Sequence, residues 1–487
     1  MNYITAGREP FAPYRYFEEI SAIPRCSYDE EEIAEYLCAF AKNLNLWYHK
    51  DEYNNVYIKK PGSPGCEGLD PVILQAHIDM VCEKNLGTTH DFKNDPLDLY
   101  IENGRFRARG TTLGADDGMG VAFMLGILAE KDAVHPPLEC IFTALEEVGL
   151  IGAIKLDYDL IAGRRMISLD SGPEGGMLVG AAGGCKMIIT LPIKHQPLEK
   201  DGVIMAVRIR EAIGGHSGSD IGKERANANK LMGRILSRLS RSGVKYEICD
   251  VSGGISYNAI PRECDAVLCV SADCVESLGE IIDCMQREIS DEYKDSDPNI
   301  RVFLERADAL QSLDAASTHS FVNMLDLLPS GRMTMSVVHS YLVTLSLNQA
   351  VVTTEDADVK IVYSLRGAKK SALKDLTCSL ADMAKLLGGQ IEIHDGYPAW
   401  EQRQNSKLCE VMLDVYHQLR GKDAFVQLVH GGVECGIFVD RLPDLDVVAT
   451  GPDADMVHTP DEWLDLESFG RTYEYLLAVL KALAGQK

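Results

Sequence analysis

The most constraining feature of this sequence is a series of acidic and histidine residues, each placed where an apolar run gives way to glycine-rich or polar sequence. These residues are His77 and Asp79 in PVILQAHIDMV, Asp116 in TTLGADDGMG, Glu146 and Glu147 in CIFTALEEVGL, Asp170 in MISLDSG, and His458 in GPDADMVHTPDE. Short apolar runs are typical of buried strands, and an open α/β sheet collects ligand-binding groups beyond the carboxyl ends of its strands. Carboxylates gathered there would repel one another unless a cation joined them. The pattern therefore predicts a hydrolytic site with two metal ions.

Charge and composition restrict the possible partners. The 487 residues include 48 basic and 73 acidic ones, and the formal net charge of −25 argues against nucleic acid or an anionic membrane as a partner. No apolar run is long enough to cross a bilayer, and the first twenty residues lack the apolar core of a secretory signal. The fourteen cysteines have neither disulfide-framework nor zinc-finger spacing. We therefore expect a cytoplasmic protein with free thiols.

The order of predicted strands and helices indicates a divided domain. Residues 1–185 alternate strands and helices, which predicts an α/β catalytic domain with a mostly parallel central sheet. In residues 186–395 the pattern of predicted strands and helices changes, and these residues are predicted to form an inserted α+β lid and dimerisation domain. This domain is expected to consist of two related units, because a similar order of strands and helices occurs twice. The pattern of residues 1–185 returns in residues 396–487, so the insert is expected to interrupt the catalytic domain.

Spacing within the motifs suggests individual roles. His77 and Asp79 are two residues apart at a strand end, so both side chains can lie on one face. His77 is a predicted metal ligand, and Asp79 is predicted to accept a hydrogen bond from the other ring nitrogen. Glu147 is a predicted ligand, whereas Glu146 is the predicted general base, because a metal lowers the pKa of water toward about 7.

The remaining predicted ligands have ordinary structural interpretations when each is taken alone. Asp116 lies in a glycine-flanked loop and would bridge the two metals, but such a loop is also typical of a solvated turn that caps a helix. Asp170 and His458 would each add one ligand, although a single histidine is more often structural. The order His, Asp, Glu-Glu, Asp and a distant His favours a metal site over these separate interpretations.

Two motifs in the insert are further candidates. His216 lies between glycines in GGHSGSDIGKERANANK and is predicted to donate a hydrogen bond to a developing oxyanion. Asn258 in SYNAIPRE is a candidate substrate contact. The alternative is a helix cap at Ser217 or Ser219 followed by an ordinary turn. Near the N-terminus, Ser27 followed by Glu31 is similar to a capping box at a helix start.

Taken together, the motifs HxD, GADDG, EE, SLDS, GGHSG, NAIP and GPDADMVHTPDE resemble those of the co-catalytic zinc peptidases that include carnosinases, peptidase T and peptidase V. The resemblance extends over essentially the whole chain. It implies one metal on His77 and Asp170, a second on Glu147 and His458, and Asp116 as the bridging ligand. It also implies a cis peptide bond after Asp116.

The same resemblance implies a substrate class. Members with Asp at the position of Asp170 tend to act at a free amino terminus, and HGGVECG is similar to a family stretch in which Glu434 would recognise the substrate amine. Arg366 and Asn348 are possible carboxylate contacts. We therefore expect a homodimeric dipeptidase, Xaa-His or broad in specificity, that uses two Zn²⁺ ions, although Mn²⁺ or Co²⁺ would suit the same donors. An aminoacylase-type N-acyl amino-acid hydrolase and a non-catalytic metal-dependent binding protein remain alternatives.

Overall fold

The computed structural model describes residues 3–485, which divide into two compact units. The first unit contains the described residues up to Gly180, then Trp400–Leu428 and the residues from Val433 onward. The second unit contains Ala181–Ala399 and Val429–Gly432. It contains the predicted insert of residues 186–395, a few residues on either side of it, and one short segment of the predicted catalytic domain.

The secondary-structure elements are numbered here in chain order. Those before the second unit are α1 Phe11–Ser21, α2 Glu31–Asn43, β1 Trp47–Lys50, β2 Val56–Lys60, β3 Val72–His77, β4 Leu99–Glu102, β5 Arg105–Ala108, α3 Ala115–Ala129, β6 Leu138–Thr143, α4 Ile151–Lys155, β7 Arg165–Ser168 and β8 Gly176–Ala181. Those of the second unit are β9 Gly183–Pro192, β10 His195–Pro197, β11 Gly202–Arg210, β12 Gly215–His216, α5 Ala228–Arg241, β13 Tyr246–Gly253, β14 Ala259–Ile260, β15 Cys264–Ser271, α6 Val275–Glu292, β16 Arg301–Arg306, β17 Gln311–Leu313, α7 Ala315–Leu327, β18 Gly331–Met335, β19 Val343–Thr354, β20 Asp358–Gly367, α8 Lys370–Leu386 and β21 Gln390–Tyr397. Those that follow are α9 Lys407–Arg420, β22 Phe425–Val429, α10 Cys435–Arg441, β23 Asp446–Ala449, β24 Ala454–Asp455, β25 Trp463–Asp465 and α11 Leu466–Ala484.

An eight-stranded sheet organises the first unit. Its order is β1-β2-β6-β3-β7-β23-β8-β22. The four central strands β6, β3, β7 and β23 are parallel, whereas the pairs β1–β2, β2–β6 and β23–β8 are antiparallel. Strands β3 and β6 are buried along their whole length, as expected for parallel strands covered on both faces. The predicted α/β class is confirmed, with parallel pairing confined to the centre of the sheet.

Helix α3 joins this sheet to the helical layer of the first unit. It is apolar on nearly every side and is buried from Asp117 to Leu128, as expected for a helix enclosed by other elements. Phe123 of α3 stacks on Phe469 of α11, with ring centroids 4.6 Å apart. Burial on all sides fixes the position of the helix and of the acidic residues in its first turn.

A second sheet organises the second unit. Its strands follow the order β16-β11-β15-β13-β19-β20-β9-β21, with β18 paired to β19, and its recorded pairs are antiparallel. The two predicted related units therefore share one continuous sheet. They meet where Ser252 of β13 lies opposite Thr353 of β19.

The expectation that every cysteine is a free thiol is wrong at one pair. Cys26 and Cys82 form a disulfide, with Cα atoms 5.8 Å apart. A β-bridge between Cys26 and Met80 aligns the two segments, which are far apart in the sequence and gave no spacing signal. The other twelve cysteines are free. Within residues 3–485, the helices are all too short or too polar to span a membrane.

Candidate active site

The predicted metal ligands of the first unit meet at one edge of the central sheet. His77 ends β3, Glu146 and Glu147 follow β6, and Asp170 follows β7. His77 lies directly opposite Thr143, the last residue of β6, so the parallel strands end at the same level. This register explains why residues separated by dozens of positions converge.

Asp116 lies between the two histidines of the site. Its Oδ1 is 2.9 Å from Nε2 of His77, and its Oδ2 is 3.3 Å from Nε2 of His458. Nε2 of His458 is also 2.8 Å from Oε1 of Glu147. The two oxygens of one carboxylate thus face imidazoles that belong to opposite ends of the first unit's sequence.

Three groups of side chains are close enough to hold a cation, with ligand atoms within 4.8 Å of one another in each. They are His77, Asp116 and Asp170; Asp116, Glu147 and His458; and His77, Glu146 and Glu147. The first two groups share Asp116 and contain the five residues predicted as ligands. The third group offers a different position for Glu146, as a ligand instead of a free base.

The electrostatics of the cluster fit a bound cation. Burial raises the pKa of Asp170 to about 8, and the negative charge of Asp116 adds to the rise. Burial also raises the pKa of Glu146 well above its ordinary value, with repulsion from Asp170 and Glu147 adding to it. These carboxylates are therefore costly to ionise together without a positive charge among them. Carboxylate oxygens and imidazole nitrogens suit Zn²⁺, Mn²⁺ and Co²⁺ alike.

Asp79 has a broader structural role than the one predicted from its spacing. Its Oδ1 is 3.4 Å from Nδ1 of His77, but that nitrogen lies closer to the backbone oxygen of Asp79, at 3.1 Å. The carboxylate accepts hydrogen bonds from the backbone N–H groups of Glu146 and Glu147, at 3.0 and 3.2 Å, and from the hydroxyl of Ser27 at 2.8 Å. Asp79 is fully buried and ties three segments together.

The contact with Ser27 corrects the predicted capping box. Helix α2 begins at Glu31, and its cap residue Glu30 makes no side-chain capping bond. Ser27 lies outside that helix start, and its hydroxyl is directed to Asp79 instead. Ser27 therefore supports Asp79 in the candidate site and does not cap helix α2.

Sequence reasoning missed three buried residues around Asp116. Arg25 donates from Nη1 to the backbone oxygens of Ile78 and Asp79, at 3.1 and 3.2 Å, and from Nη2 to that of Gly114. Asp117 accepts the backbone N–H of His77 at 3.3 Å through Oδ2, and that of Gly120 at 3.1 Å through Oδ1. Glu462 accepts backbone N–H groups of the segment 113–116. Asp117 and Glu462 lie within the motifs GADDG and GPDADMVHTPDE, but sequence reasoning gave neither of them a role, and no local pattern marks Arg25.

The peptide bond between Asp116 and Asp117 is cis, as the resemblance implied. The preceding Gly114 has a φ of 66°, in the left-handed region that favours glycine. Asp116 itself has a non-helical backbone at the start of α3. This local geometry directs the Asp116 side chain away from the regular path of the helix.

Glu434 is buried in the first unit. Its Oε2 accepts hydrogen bonds from Nε2 of Gln75 and from the hydroxyl of Thr143, both at 2.6 Å. Oε1 has no hydrogen-bond partner among the described residues. Burial raises the pKa of Glu434 to about 7, although the nearby imidazole of His77 and the bond from Thr143 oppose the rise.

In the second unit, His216 and Asn258 lie on paired segments. His216 of β12 pairs with Ala259, the residue after Asn258, and the backbone oxygen of Asn258 accepts the N–H of Ser217 at 2.7 Å. Nδ1 of His216 accepts the N–H groups of Gly218 and Ser219, each at 3.3 Å. These bonds favour the tautomer that carries its proton on Nε2, although Nη2 of Arg366, also a donor, lies 3.4 Å from that nitrogen.

The two possible carboxylate contacts differ in their availability. Both ends of the Asn348 amide are used, since Nδ2 donates to the backbone oxygen of Ala259 at 2.8 Å and Oδ1 accepts from Asn227 at 3.0 Å. Arg366 donates from Nη1 to the hydroxyl of Tyr397 at 2.7 Å, and its buried Nε has no partner among the described residues. Arg366 is therefore the stronger candidate of the two.

Two cation groups that share one carboxylate, with a further glutamate beside them at the edge of an α/β sheet, define the class of protein as a metal-dependent hydrolase. The chain belongs to the peptidase family M20/M25/M40, whose family model matches residues 73–482. The predicted family and the predicted hydrolase class are confirmed.

Individual relatives cover nearly the whole chain. A cytosol non-specific dipeptidase of Escherichia coli (strain K12) is 36% identical over 469 residues, which are 96% of this chain and 96% of the relative. The crystal structure of aminoacylhistidine dipeptidase from Vibrio alginolyticus superposes with a TM-score of 0.87 at 33% identity, covering 98% of this chain and 97% of that one. Aminopeptidase PepT from Bacillus cereus shares the fold, with a TM-score of 0.57 at 16% identity and coverage of 97% and 98%. The first two are named as dipeptidases, the substrate class that the resemblance implies.

Proposed function

We propose that this protein hydrolyses dipeptides, using two divalent metal ions held in the first unit. One ion would bind His77, Asp116 and Asp170, and the other Asp116, Glu147 and His458. The observation that carries the proposal is the position of Asp116, whose Oδ1 and Oδ2 face His77 and His458 at 2.9 and 3.3 Å. Zn²⁺ is the proposed metal. The names of the Escherichia coli and Vibrio alginolyticus relatives support a dipeptide substrate.

Glu146 is the proposed general base. When bound, the metal ions polarise the scissile carbonyl and make water a stronger acid. A carboxylate oxygen of Glu146 takes a proton from the attacking water and later gives it to the leaving nitrogen. Asp79 holds Glu146 in place through its backbone N–H.

The remaining assignments concern the substrate. His216 is proposed to donate from Nε2–H to the oxygen on which negative charge develops, and the acceptor role of its Nδ1 supports that tautomer. Oε1 of Glu434 is the proposed acceptor for the substrate's amino group. Arg366 is proposed to bind the terminal carboxylate, because a guanidinium with an unused N–H suits that group. Asn258 is proposed as a further contact beside His216.

A substrate panel tests the proposed activity and its alternatives. The protein is stripped with a chelator, reloaded with measured amounts of Zn²⁺, Mn²⁺ or Co²⁺, and assayed on free dipeptides, dipeptide amides, N-acetyl amino acids and tripeptides. We expect metal-dependent release of amino acids from free dipeptides above all, with an Xaa-His dipeptide included to test that preference. Hydrolysis of N-acetyl amino acids alone would identify an aminoacylase. Metal binding without any hydrolysis would refute the enzymatic proposal.

Two further proposals concern the setting of the enzyme. We propose a homodimer formed through the second unit, where Val337, Val338 and Tyr341 expose large apolar surfaces between β18 and β19. Light scattering that gives the mass of a single 53.6 kDa chain at micromolar concentration would refute it.

We also propose a cytoplasmic location, supported by the name of the Escherichia coli relative. Cell fractionation tests this location.

A further inference from the structure

Glu462 is directed at the loop that carries Asp116. Its side chain is buried, with 2% of the residue exposed. Oε2 accepts the backbone N–H groups of Leu113 and Gly114 at 2.7 and 2.8 Å, and Oε1 accepts that of Ala115 at 2.8 Å. The N–H of Asp116 lies farther from Oε1, at 3.4 Å. Four consecutive backbone amides therefore converge on a single carboxylate, an arrangement typical of an anion nest.

This carboxylate meets a specific need of the segment 113–116. The first N–H groups of a helix have no partner within the helix, and buried amides require one. At α3 the backbone is also irregular, because Gly114 is left-handed and Asp116 departs from helical angles. Helix geometry alone therefore does not determine where the Asp116 side chain points.

The opposite side of the same loop is held by the guanidinium group of Arg25. Nη2 of Arg25 donates to the backbone oxygen of Gly114, while Glu462 binds the N–H of that residue. Arg25 is 2% exposed, so both charged groups are buried and each offsets part of the cost of burying the other. The loop is thus fixed from both sides by groups that belong to distant parts of the chain.

We infer that Glu462 is a positioning residue, which holds the segment 113–116 so that the two oxygens of Asp116 face His77 and His458. The inference rests on the proposed role of Asp116 as the shared ligand. A glutamine in its place would keep the shape but offer only one acceptor oxygen, and its NH₂ group would face amides that are themselves donors. An aspartate would keep the charge but would be shorter by one methylene.

The chain provides a matched control for the loss of a buried carboxylate. Glu139 is 5% exposed, at the start of β6, and accepts the backbone N–H groups of Ala162 and Gly163 as well as Nζ of Lys59 at 3.0 Å. Glu139 is near the beginning of β6, whereas Thr143, beside the predicted metal ligands, is the last residue of that strand. Glu139→Gln therefore makes a comparable change in the first unit away from the proposed metal ligands.

The test compares metal binding by Glu462→Gln, Glu139→Gln and the unaltered protein. Each metal-free protein is titrated with Zn²⁺ against a chromophoric chelator, and its thermal unfolding is recorded. We expect Glu462→Gln to weaken the binding of both ions by about 10- to 100-fold, the usual effect of removing a partner of a metal ligand. Glu139→Gln should lower the unfolding temperature but bind both ions as the unaltered protein does. Unchanged affinity for both ions in a folded Glu462→Gln would overturn the inference.

Hydrogen exchange in the unaltered protein decides the matter if Glu462→Gln does not fold. We expect the amides of residues 113–116 to exchange slowly in the metal-free chain, since Glu462 binds them without a metal. Exchange as fast as that of the exposed segment 336–341 would overturn the inference. An unaltered protein that binds no pair of ions would instead refute the metal assignment itself, so the two failures are distinguishable.

Discussion

The carboxylate of Asp79 accepts the backbone N–H of Glu146 at 3.0 Å, so a residue two positions after the predicted ligand His77 is bonded to the proposed general base. The same carboxylate accepts the N–H of Glu147 at 3.2 Å. One buried side chain thereby sets the positions of a base and a ligand that have different tasks. A change at Asp79 should consequently affect both proton transfer and metal binding.

Asp79→Asn is expected to lower kcat and metal affinity, each by about 10- to 100-fold, because an amide nitrogen would replace an acceptor of these N–H groups. Ser27→Ala removes only the hydroxyl that donates to Asp79, a loss worth about 1 kcal/mol. It should therefore have a much smaller effect on both quantities. Steady-state kinetics and zinc titration check the order of the two variants. Equal effects would show that Asp79 does not organise the site in this way.

Glu146→Gln is expected to lower kcat by about 10²- to 10⁴-fold, since the amide cannot accept the proton from water. Two ions should remain bound, which elemental analysis of the gel-filtered protein would measure. Near-normal turnover with both ions present would exclude Glu146 as the base. Loss of an ion would instead assign Glu146 to the cation group with His77 and Glu147.

The three metal-site variants His77→Ala, His458→Ala and Asp116→Ala should differ in the number of ions they retain. Each histidine belongs to one of the two proposed groups, whereas Asp116 belongs to both. We expect the histidine variants to weaken one ion selectively and Asp116→Ala to weaken both. Zinc titration of each metal-free variant measures the two affinities. Two tightly bound ions in Asp116→Ala would contradict the shared-ligand arrangement.

His430 is expected to make the second unit less stable in acid. Burial lowers the pKa of His430 to about 3, and the positive charges of Arg366 and His216 add to this effect. In the unfolded chain a histidine has a pKa of about 6.5, so the unfolded state takes up the proton first. The stabilisation is fully present above about pH 6.5 and is lost progressively as the pH falls toward about 3.

Urea unfolding of the metal-free protein between pH 4 and pH 8 measures this dependence. His430→Gln keeps an acceptor for the hydroxyl of Ser346, which lies 2.7 Å from Nε2 of His430, but it cannot titrate. Its free energy of unfolding should fall less steeply below pH 6.5 than that of the unaltered protein. The difference between the two cancels the contribution of the acidic residues elsewhere. Identical slopes would contradict the prediction.

The sequence predicted the convergence of ligands because each one ends an apolar run. His77 and Asp170 follow strands that pair side by side, and the pairing carries the residues after them to the same edge. His458 was also predicted from the sequence, although the element just before it is a two-residue strand on a separate sheet. Periodicity is informative for the long buried strands and much less so for such short ones.

The supporting residues could not be predicted, because their partners are backbone groups. Arg25 and Glu462 bind carbonyl and amide groups of the same loop from positions more than four hundred residues apart, and the sequence around each of them does not indicate that partner. Ser27 shows the opposite problem, since its sequence context favoured a local cap although its actual partner is Asp79. A local interpretation is incomplete wherever a side chain is buried against distant backbone.

The position of β23 has a consequence for how the polypeptide acquires its structure during synthesis. This strand, Asp446–Ala449, lies between β7 and β8, although more than 260 residues separate it from both in the chain. Until the ribosome has delivered it, β7 and β8 each have an edge without a neighbour, and exposed apolar edges invite association with other chains. The central sheet of the nascent protein therefore stays incomplete while the whole second unit is translated. Aggregation is expected to be greatest for truncated chains and for pauses late in translation.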